Sequence, residues 1–205
     1  MNNIKIFEND LPSNIDLSKE KVIGIDNEAL GLVLGRDPLT LVQLGLPSKQ
    51  FYLIKLNRET YNAPNLTKIL SNSSTQFIMH YARQDLLWLK YHLKVEPKNI
   101  FCTKLCSKIA RTASNAHGYK DLVKELCGKD ISKKEQQSDW GNPNLSEKQI
   151  SYAAQDTEYL FEIKNKLTKM LIREKRIDLF EKCMKVLPTL VEMELNGYKL
   201  STFEH

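Results

Sequence analysis

Long hydrophobic runs are missing from this sequence of 205 residues. No stretch reaches the roughly 18 consecutive apolar residues that a membrane-spanning helix needs. The N-terminus reads MNNIKIFENDLPSN and lacks the basic start and apolar block of a secretion signal. We therefore expect a cytoplasmic protein without a membrane partner. Apolar residues make up 41% and charged residues 27% of the chain, a balance that favours one globular domain over 1–205.

Cysteine is scarce, and its pattern excludes two common kinds of site. The four cysteines are Cys102, Cys106, Cys127 and Cys183. Cytosolic thiols stay reduced, so disulfides are not expected. Cys102 and Cys106 have a loose metal-like spacing, but no second Cys or His pair completes a zinc site. Buried thiols are the favoured interpretation.

Acidic residues are too few to balance the basic ones, and the net charge is +5. Residues 151–205 carry nine basic and nine acidic side chains, so the surplus lies in 1–150. Residues 98–134 alone hold nine Lys/Arg against three Asp/Glu. Such a stretch is typical of a solvated helix face, and it also attracts phosphate backbones.

The first part of the chain reads as strands. Residues 21–26 form an apolar, β-branched run that ends on an acid, and 39–45 and 51–56 follow with turn signals between them. This spacing predicts a mostly antiparallel meander. Residues 76–79 read as a further strand.

Helical periodicity dominates the remainder. Helices are predicted over 66–70, 83–93, 103–111, 119–127, 146–171 and 174–195. Asn65 is the predicted cap of the first, Gly128 the stop signal after 119–127, and Ser146 the cap of the long helix. Pro188 is expected to kink or split the last one. Strands followed by helices around one mixed sheet give an α/β (α+β) fold.

Acidic side chains recur at three positions where a strand ends or a helix presents one face. Asp26 and Glu28 follow the first strand at a spacing that places both on the same side. Asp85 lies in the first turn of a predicted helix, and Tyr152 and Asp156 are four residues apart on another. Taken singly, each has an ordinary explanation, such as the helix dipole for Asp85. Together they supply four carboxylates, enough to hold two divalent cations about 3.5–4 Å apart for phosphoryl transfer.

The same residues lie within segments that resemble the DEDDy branch of the 3′→5′ exonucleases, in the ribonuclease D family. The resemblance covers nearly the whole chain, through VIGIDNEALGL, LTLVQLG, FIMHYARQDLLWLKYHL, FCTKLCSKIART, HGYKDLVKELCGKDISKKEQQSDWG and LSEKQISYAAQDTEYLFEIKNKL. It implies a ribonuclease H-like fold and a site that holds two Mg²⁺ or Mn²⁺ ions. The implied metal ligands are Asp26, Glu28, Asp85 and Asp156, with Tyr152 aligning the attacking water.

Further residues have substrate-binding roles under this resemblance, each beside a structural alternative. Leu30 or Leu32 would wedge against the terminal base, and His80 and Arg83 would contact sugar or phosphate. Trp140 would stack on a base, although a packing role is favoured for it.

The short length, the segment YNAPNL and the ending STFEH resemble the nanoRNase C group. That resemblance implies short single-stranded RNA, including dinucleotides, as substrate and nucleoside 5′-monophosphates as products. It also implies a homo-oligomer, an octamer in that group, with helices over 172–205 as a candidate interface. Trimming of structured RNA 3′ ends in the manner of ribonuclease D, a DNA 3′→5′ exonuclease, and a non-catalytic nucleic-acid-binding module are the alternatives.

Overall fold

The fold, taken from a computed structural model that describes residues 3–203, is built on a six-stranded mixed sheet. The spatial order of the strands is β1-β4-β3-β2-β5-β6. Their bounds are Ile4–Glu8 (β1), Val22–Ala29 (β2), Leu39–Gly45 (β3), Phe51–Lys55 (β4), Gln76–Met79 (β5) and Ile100–Cys102 (β6). Helices pack around this sheet, so the predicted α/β class and ribonuclease H-like arrangement are confirmed.

The centre of the sheet is the predicted antiparallel meander. β2 pairs with β3 and β3 with β4, both antiparallel. Three parallel pairs complete the sheet: β1 with β4, β2 with β5, and β5 with β6. The edge strands β1 and β6 were not predicted, because five and three residues are too short for a clear alternating pattern.

The helices lie close to their predicted positions. They are Pro64–Leu70 (α1), Ala82–Leu93 (α2), Thr103–Ala110 (α3), Tyr119–Leu122 (α4), Glu147–Glu158 (α5), Leu160–Arg173 (α6) and Ile177–Leu195 (α7). A π-helical turn, Val123–Cys127, continues α4 up to Gly128, whose φ of 65° stops it as predicted. Short 3₁₀ turns occupy Lys134–Gln137 and Leu200–Phe203.

Three details of the helices differ from the prediction. The single helix over 146–171 is two helices that meet at Tyr159, although Ser146 does cap the first with a capping box. Pro188 lies inside α7 and does not split it, while the predicted kink stays a prediction. Asn65 is not the cap of α1: Ala63 is, and Pro64 takes the first helical position.

Two glycines let α5 and α6 approach the sheet closely. Gly24 of β2 and Gly45 of β3 are register partners. A Cβ on Gly45 would lie 2.4 Å from Thr157 Oγ1, and one on Gly24 would lie 3.2 Å from Leu160 Cδ1. The absence of both side chains therefore places the end of α5, and Asp156 with it, directly over β2.

The C-terminal helix α7 packs on the body of the protein while leaving part of its surface apolar. Phe180, Leu187 and Val191 are buried in the core, whereas Leu179 and Val186 are 53% and 46% exposed. Oligomer contacts through 172–205 thus stay a prediction, and Glu204 and His205 of the STFEH ending lie outside the described residues. Within 3–203 no helix is both long and apolar enough to cross a membrane.

Candidate active site

Three of the predicted acidic residues converge where β2 passes beneath α5. Asp26 and Glu28 come from β2, and Asp156 comes from α5. One carboxylate oxygen of each lies within 4.8 Å of the others. This close approach follows from the glycine contact described above and from two small residues, Ala153 and Ala154, which are both buried on the same helix.

The fourth acid, Asp85, lies at the edge of this cluster and is only 5% exposed. It sits in the first turn of α2, as predicted. The amide Nδ2 of Asn27 donates to the Asp85 backbone carbonyl at 3.2 Å and to its carboxylate Oδ1 at 3.4 Å. Asn27 therefore orients the Asp85 side chain, a role that the sequence pattern did not predict.

The four carboxyl groups destabilise one another's ionised form. Burial raises the pKa of Asp26 to about 7. Burial, followed by the charges of neighbouring acids, raises the pKa of Glu28, of Asp85 and of Asp156 well above its usual range. Buried acids in this arrangement need a compensating positive charge in order to ionise together.

The donor set fits a divalent cation. Asp85 Oδ2 and Asn27 Oδ1 are buried oxygens with no hydrogen-bond partner among residues 3–203. Carboxylate oxygens are the ligands that Mg²⁺ and Mn²⁺ prefer. An unsatisfied buried acceptor beside three clustered carboxylates is what a hard cation would satisfy, so Asp26, Glu28 and Asp156, with Asp85, can hold a metal.

Tyr152 stands one helical turn before Asp156 and points into the same cleft. The nearby Tyr152 hydroxyl lowers the pKa of the Asp156 carboxyl, against the larger effect of burial. Burial and the negative charges of Asp156 and Glu28 raise the pKa of the Tyr152 phenol above its ordinary value. The phenol therefore stays protonated at neutral pH and acts as a donor.

Trp140 supports Tyr152 instead of presenting a stacking surface. Its side chain is 3% exposed, belongs to a small core with Leu41 and Leu53, and lies 6.0 Å from the Tyr152 ring between centroids. Little of the Trp140 side chain is open to a base, although the residue is part of the lining of the hollow that also contains Leu30 and Leu32. The packing role favoured from the sequence fits the burial.

One wall of the cleft is basic. Lys104, Lys120 and Lys133 line it opposite Asp26 and Asp156. All three come from the basic stretch 98–134, although they lie on three different segments. The composition of that stretch indicates an excess of positive charge, but it does not indicate which lysines reach the cleft.

On the other side of the acids lies a hollow bordered by leucines. Leu30 and Leu32 line it and are 41% and 83% exposed. The loop that carries them is closed by Asp37, whose carboxylate Oδ2 accepts from Val33 N at 2.8 Å. Both leucines therefore stand beside the acids, free to contact a ligand.

The last two predicted substrate residues have different positions. His80 lines the cleft on the basic side. Arg83 does not line it: its guanidinium pairs with Glu194 of α7 and donates to the Tyr81 hydroxyl at 2.8 Å. Arg83 thus ties α2 to α7, and its contact with sugar or phosphate stays a prediction.

Tyr119 is a cleft residue that sequence analysis missed. Its hydroxyl donates to Gln155 O at 2.8 Å and accepts from Tyr159 N at 3.1 Å. It therefore satisfies backbone groups at the junction of α5 and α6, next to Asp156. The only signal in the sequence was its place in the segment HGYKDL.

Comparison with known proteins identifies the family of this chain. A family model described as 3′-5′ exonuclease matches residues 9–172, which is most of the chain. This chain belongs to the 3′→5′ exonuclease family. Ribonuclease D of Xanthomonas oryzae pv. oryzae is 31% identical over 168 residues, 82% of this chain and 46% of the relative. The chain thus spans less than half the length of that curated relative.

Solved structures of similar size give a fuller match. Brucella melitensis NrnC superposes with a TM-score of 0.95 at 37% identity, and the match covers 100% of both chains. The same protein is known with bound Mg²⁺, at a TM-score of 0.92 and 36% identity over 99% of this chain and 98% of that one. Its complex with pGG matches at 0.93 and 37% identity with the same coverage. The resemblance to ribonuclease D and to the short nanoRNase C group is confirmed.

Proposed function

We propose that this protein is a metal-dependent 3′→5′ exoribonuclease that hydrolyses short single-stranded RNA, dinucleotides included, to nucleoside 5′-monophosphates. The observation that carries the proposal is the meeting of Asp26, Glu28 and Asp156 within 4.8 Å, beside Asp85 and the protonated Tyr152. Four acids that raise one another's pKa cost stability unless a cation compensates them. The position of these acids in one cleft with a basic wall supports phosphodiester chemistry.

Each residue has a defined part in this proposal. Asp26, Glu28 and Asp156, with Asp85, would hold two divalent ions, Mg²⁺ or Mn²⁺. When bound, such ions supply a low-pKa water and stabilise charge on the phosphate oxygens. Asn27 keeps Asp85 oriented, and Tyr152 donates a hydrogen bond that aligns the water. Because the pKa of its phenol is raised, Tyr152 orients the water and does not abstract the proton.

The groups on the two sides of the acids would contact different parts of the substrate. The exposed Leu30 and Leu32 are placed to contact the 3′-terminal base, which is apolar on its faces. Lys104, Lys120 and Lys133 are placed to neutralise phosphates on the 5′ side. The support for a short substrate is the full-length likeness to NrnC, a protein that binds pGG.

The test is a cleavage time course with Mn²⁺ and with Mg²⁺. The substrates are 5′-labelled RNAs of two to about ten nucleotides and the matched DNAs, and Asp26→Ala serves as the inactive control. Faster loss of the dinucleotide than of longer RNA supports the proposal. Stepwise shortening of long RNA at an equal or higher rate would favour a ribonuclease D-like trimming enzyme. Binding of RNA without cleavage would favour a non-catalytic module.

A further inference from the structure

His80 has a feature that the proposed function does not use: one ring nitrogen is occupied by the protein and the other is not. Nδ1 lies 2.9 Å from Thr103 Oγ1. The ring also lines the cleft beside Lys104 and Lys133. Its second nitrogen, Nε2, has no hydrogen-bond partner among residues 3–203, so it is the polar edge left for a ligand.

The hydrogen bonds of Thr103 determine which nitrogen carries the proton. The Thr103 hydroxyl is fully buried and donates to Met79 O at 3.2 Å. A hydroxyl has one hydrogen, so Thr103 can only accept from His80. Both contacts are hydrogen bonds at once only when Nδ1 is protonated, and the lone pair then lies on Nε2.

The surroundings keep the ring neutral. Burial, reinforced by the positive charges of Lys104 and Lys133, lowers the pKa of His80 to about 3. A neutral ring with Nδ1 protonated is an acceptor at Nε2 and cannot donate there. Phosphate oxygens, which are themselves acceptors, are therefore poor partners for Nε2, and the neighbouring lysines are better ones.

We propose that His80 Nε2 accepts a hydrogen bond from the ribose 2′-OH of the nucleotide on the 5′ side of the scissile bond, and so makes the enzyme prefer RNA to DNA. The inference rests on the proposed exonuclease function. In that nucleotide the 3′ oxygen is esterified, so the 2′-OH is the one hydroxyl donor of its sugar apart from a free 5′ end. DNA lacks this group. Thr103 is the positioning residue that holds the tautomer.

The experiment compares three dinucleotides that carry a 5′ phosphate and differ only at the 2′ position of the first sugar: OH, H and F. Fluorine keeps a ribose-like pucker but cannot donate, so the OH/F ratio isolates the donor. The kcat/KM values are measured with wild type, His80→Asn and His80→Gln. Asn keeps a donor near Thr103 and has no atom at the Nε2 position, whereas the longer Gln can restore an acceptor there.

Thr103→Val and Thr103→Ser test the positioning role, since only Ser keeps the hydroxyl. His117→Asn is the matched control, because His117 Nδ1 lies 2.9 Å from the Ser107 hydroxyl but the ring does not line the cleft. The ratio is taken within one enzyme preparation, so a partly unfolded variant does not distort it.

For wild type we expect an OH/F ratio of about three to ten, the size of one neutral hydrogen bond. The ratio should fall near one in His80→Asn and decrease in Thr103→Val, and it should persist in Thr103→Ser, His80→Gln and His117→Asn. An unchanged ratio in His80→Asn overturns the inference, as does a wild type that accepts OH and F equally. A His80→Asn defect that disappears when the 5′ phosphate is removed would make His80 a phosphate donor instead. If wild type cleaves none of the three, the proposed function fails and the inference with it.

Discussion

The acids at the centre of the cleft and the groups on its two sides are held in different ways. The four acids come from regular elements: Asp26 and Glu28 from β2, Asp85 from α2 and Asp156 from α5. Close glycine contacts hold α5 against the sheet, and a capping box fixes the start of α5. On the two sides, Leu30, Leu32 and Lys133 stand on loops, whereas Lys104 and Lys120 stand on α3 and the short α4. Regular elements hold atoms at fixed distances, as a metal site requires, while loops adapt to a ligand.

Burial separates the two regions in the same way. Asp85 is 5% exposed and carries an unsatisfied oxygen, whereas Leu32 is 83% exposed. The clustered, buried carboxyl groups of the acidic centre therefore lower the folding stability of the metal-free protein. Substitutions on the two sides should change the folding stability little. Substitutions should accordingly affect activity most at the centre, while their effect on stability there should be favourable.

Asp26→Asn gives the largest expected effect and opposite changes in two measurements. Loss of one metal ligand should lower kcat/KM about a thousandfold or more, because metal stabilisation of the reaction is worth several kcal/mol. The melting temperature in EDTA should rise, since the amide that replaces the Asp26 carboxylate carries no charge to repel the other acids. Glu147→Gln, at the exposed start of α5, is the charge-matched control, which should leave kcat/KM unchanged and should not raise the melting temperature. A fall in melting temperature would show that Asp26 is not under electrostatic strain.

Metal removal should have an effect that depends on pH. The pKa of Asp26 is about 7 instead of 3.8, and the other three acids shift in the same direction. Between about pH 4 and 7 the folded state thus keeps protons that the unfolded state releases, so the metal-free protein loses stability as pH rises.

Mg²⁺ or Mn²⁺ should offset this loss. At a hundredfold excess over Kd we expect a melting temperature about 5–10 °C above that in EDTA at pH 8, and little difference at pH 5. Differential scanning fluorimetry across this pH range measures it. An increment of equal size at pH 5 would contradict the raised pKa values.

The contrast between centre and sides also describes what the sequence could predict. Strand alternation predicts that Asp26 and Glu28 share one side of β2, and helical spacing predicts that Tyr152 and Asp156 share one face of α5. That the two pairs meet in one site is implied by the combination of the signals and by the family resemblance. Asn27 lacks such a pattern: its contact with Asp85 spans 58 residues and depends on how β2 lies against the first turn of α2. The break at Tyr159 was missed for a similar reason. A tertiary contact from Tyr119 satisfies its backbone, and local periodicity continues across it.

Arg83 is a residue for which the sequence does not reveal the partner found in the structure. Under the family resemblance Arg83 would contact sugar or phosphate, with a structural role as the alternative. In the structure it pairs with Glu194, 111 residues away. The partner of a long side chain depends on the tertiary structure, and it cannot be predicted from the distance along the sequence to an acidic residue. For Trp140, burial supports the packing role.

On the basic side, Lys133→Ala should have an intermediate effect. We expect KM for a short RNA to rise about three- to tenfold with little change in kcat, and the slope of log affinity against log salt to decrease by about one. Lys134→Ala is a close control, because that lysine lines a different hollow. Equal effects of both variants would mean that general charge, and not the cleft wall, attracts the substrate.

On the leucine side, Asp37→Asn should have the smallest effect. Asp37 accepts from Val33 N at 2.8 Å and from Arg36 Nε at 2.7 Å, and a Cβ on Gly31 would overlap its carboxylate at 2.1 Å. Asn keeps the shape but loses the charge that strengthens both bonds, so the loop should loosen. KM should rise about two- to threefold with kcat unchanged, the size of part of one hydrogen bond.

The pH dependence distinguishes a loosened loop from a general fault in folding. The hydrogen bond from Arg36, then that from Val33, lowers the pKa of Asp37 to about 2. Its stabilising effect is therefore complete above about pH 4 and is lost as pH falls toward 2. The difference in melting temperature between wild type and Asp37→Asn should shrink over that range, while Asp16→Asn, in an exposed turn outside the cleft, should leave KM unchanged. If KM responds to neither substitution, the Leu30–Leu32 loop does not need Asp37 to hold the substrate. The loop would then be more adaptable than the hydrogen bonds of Asp37 indicate.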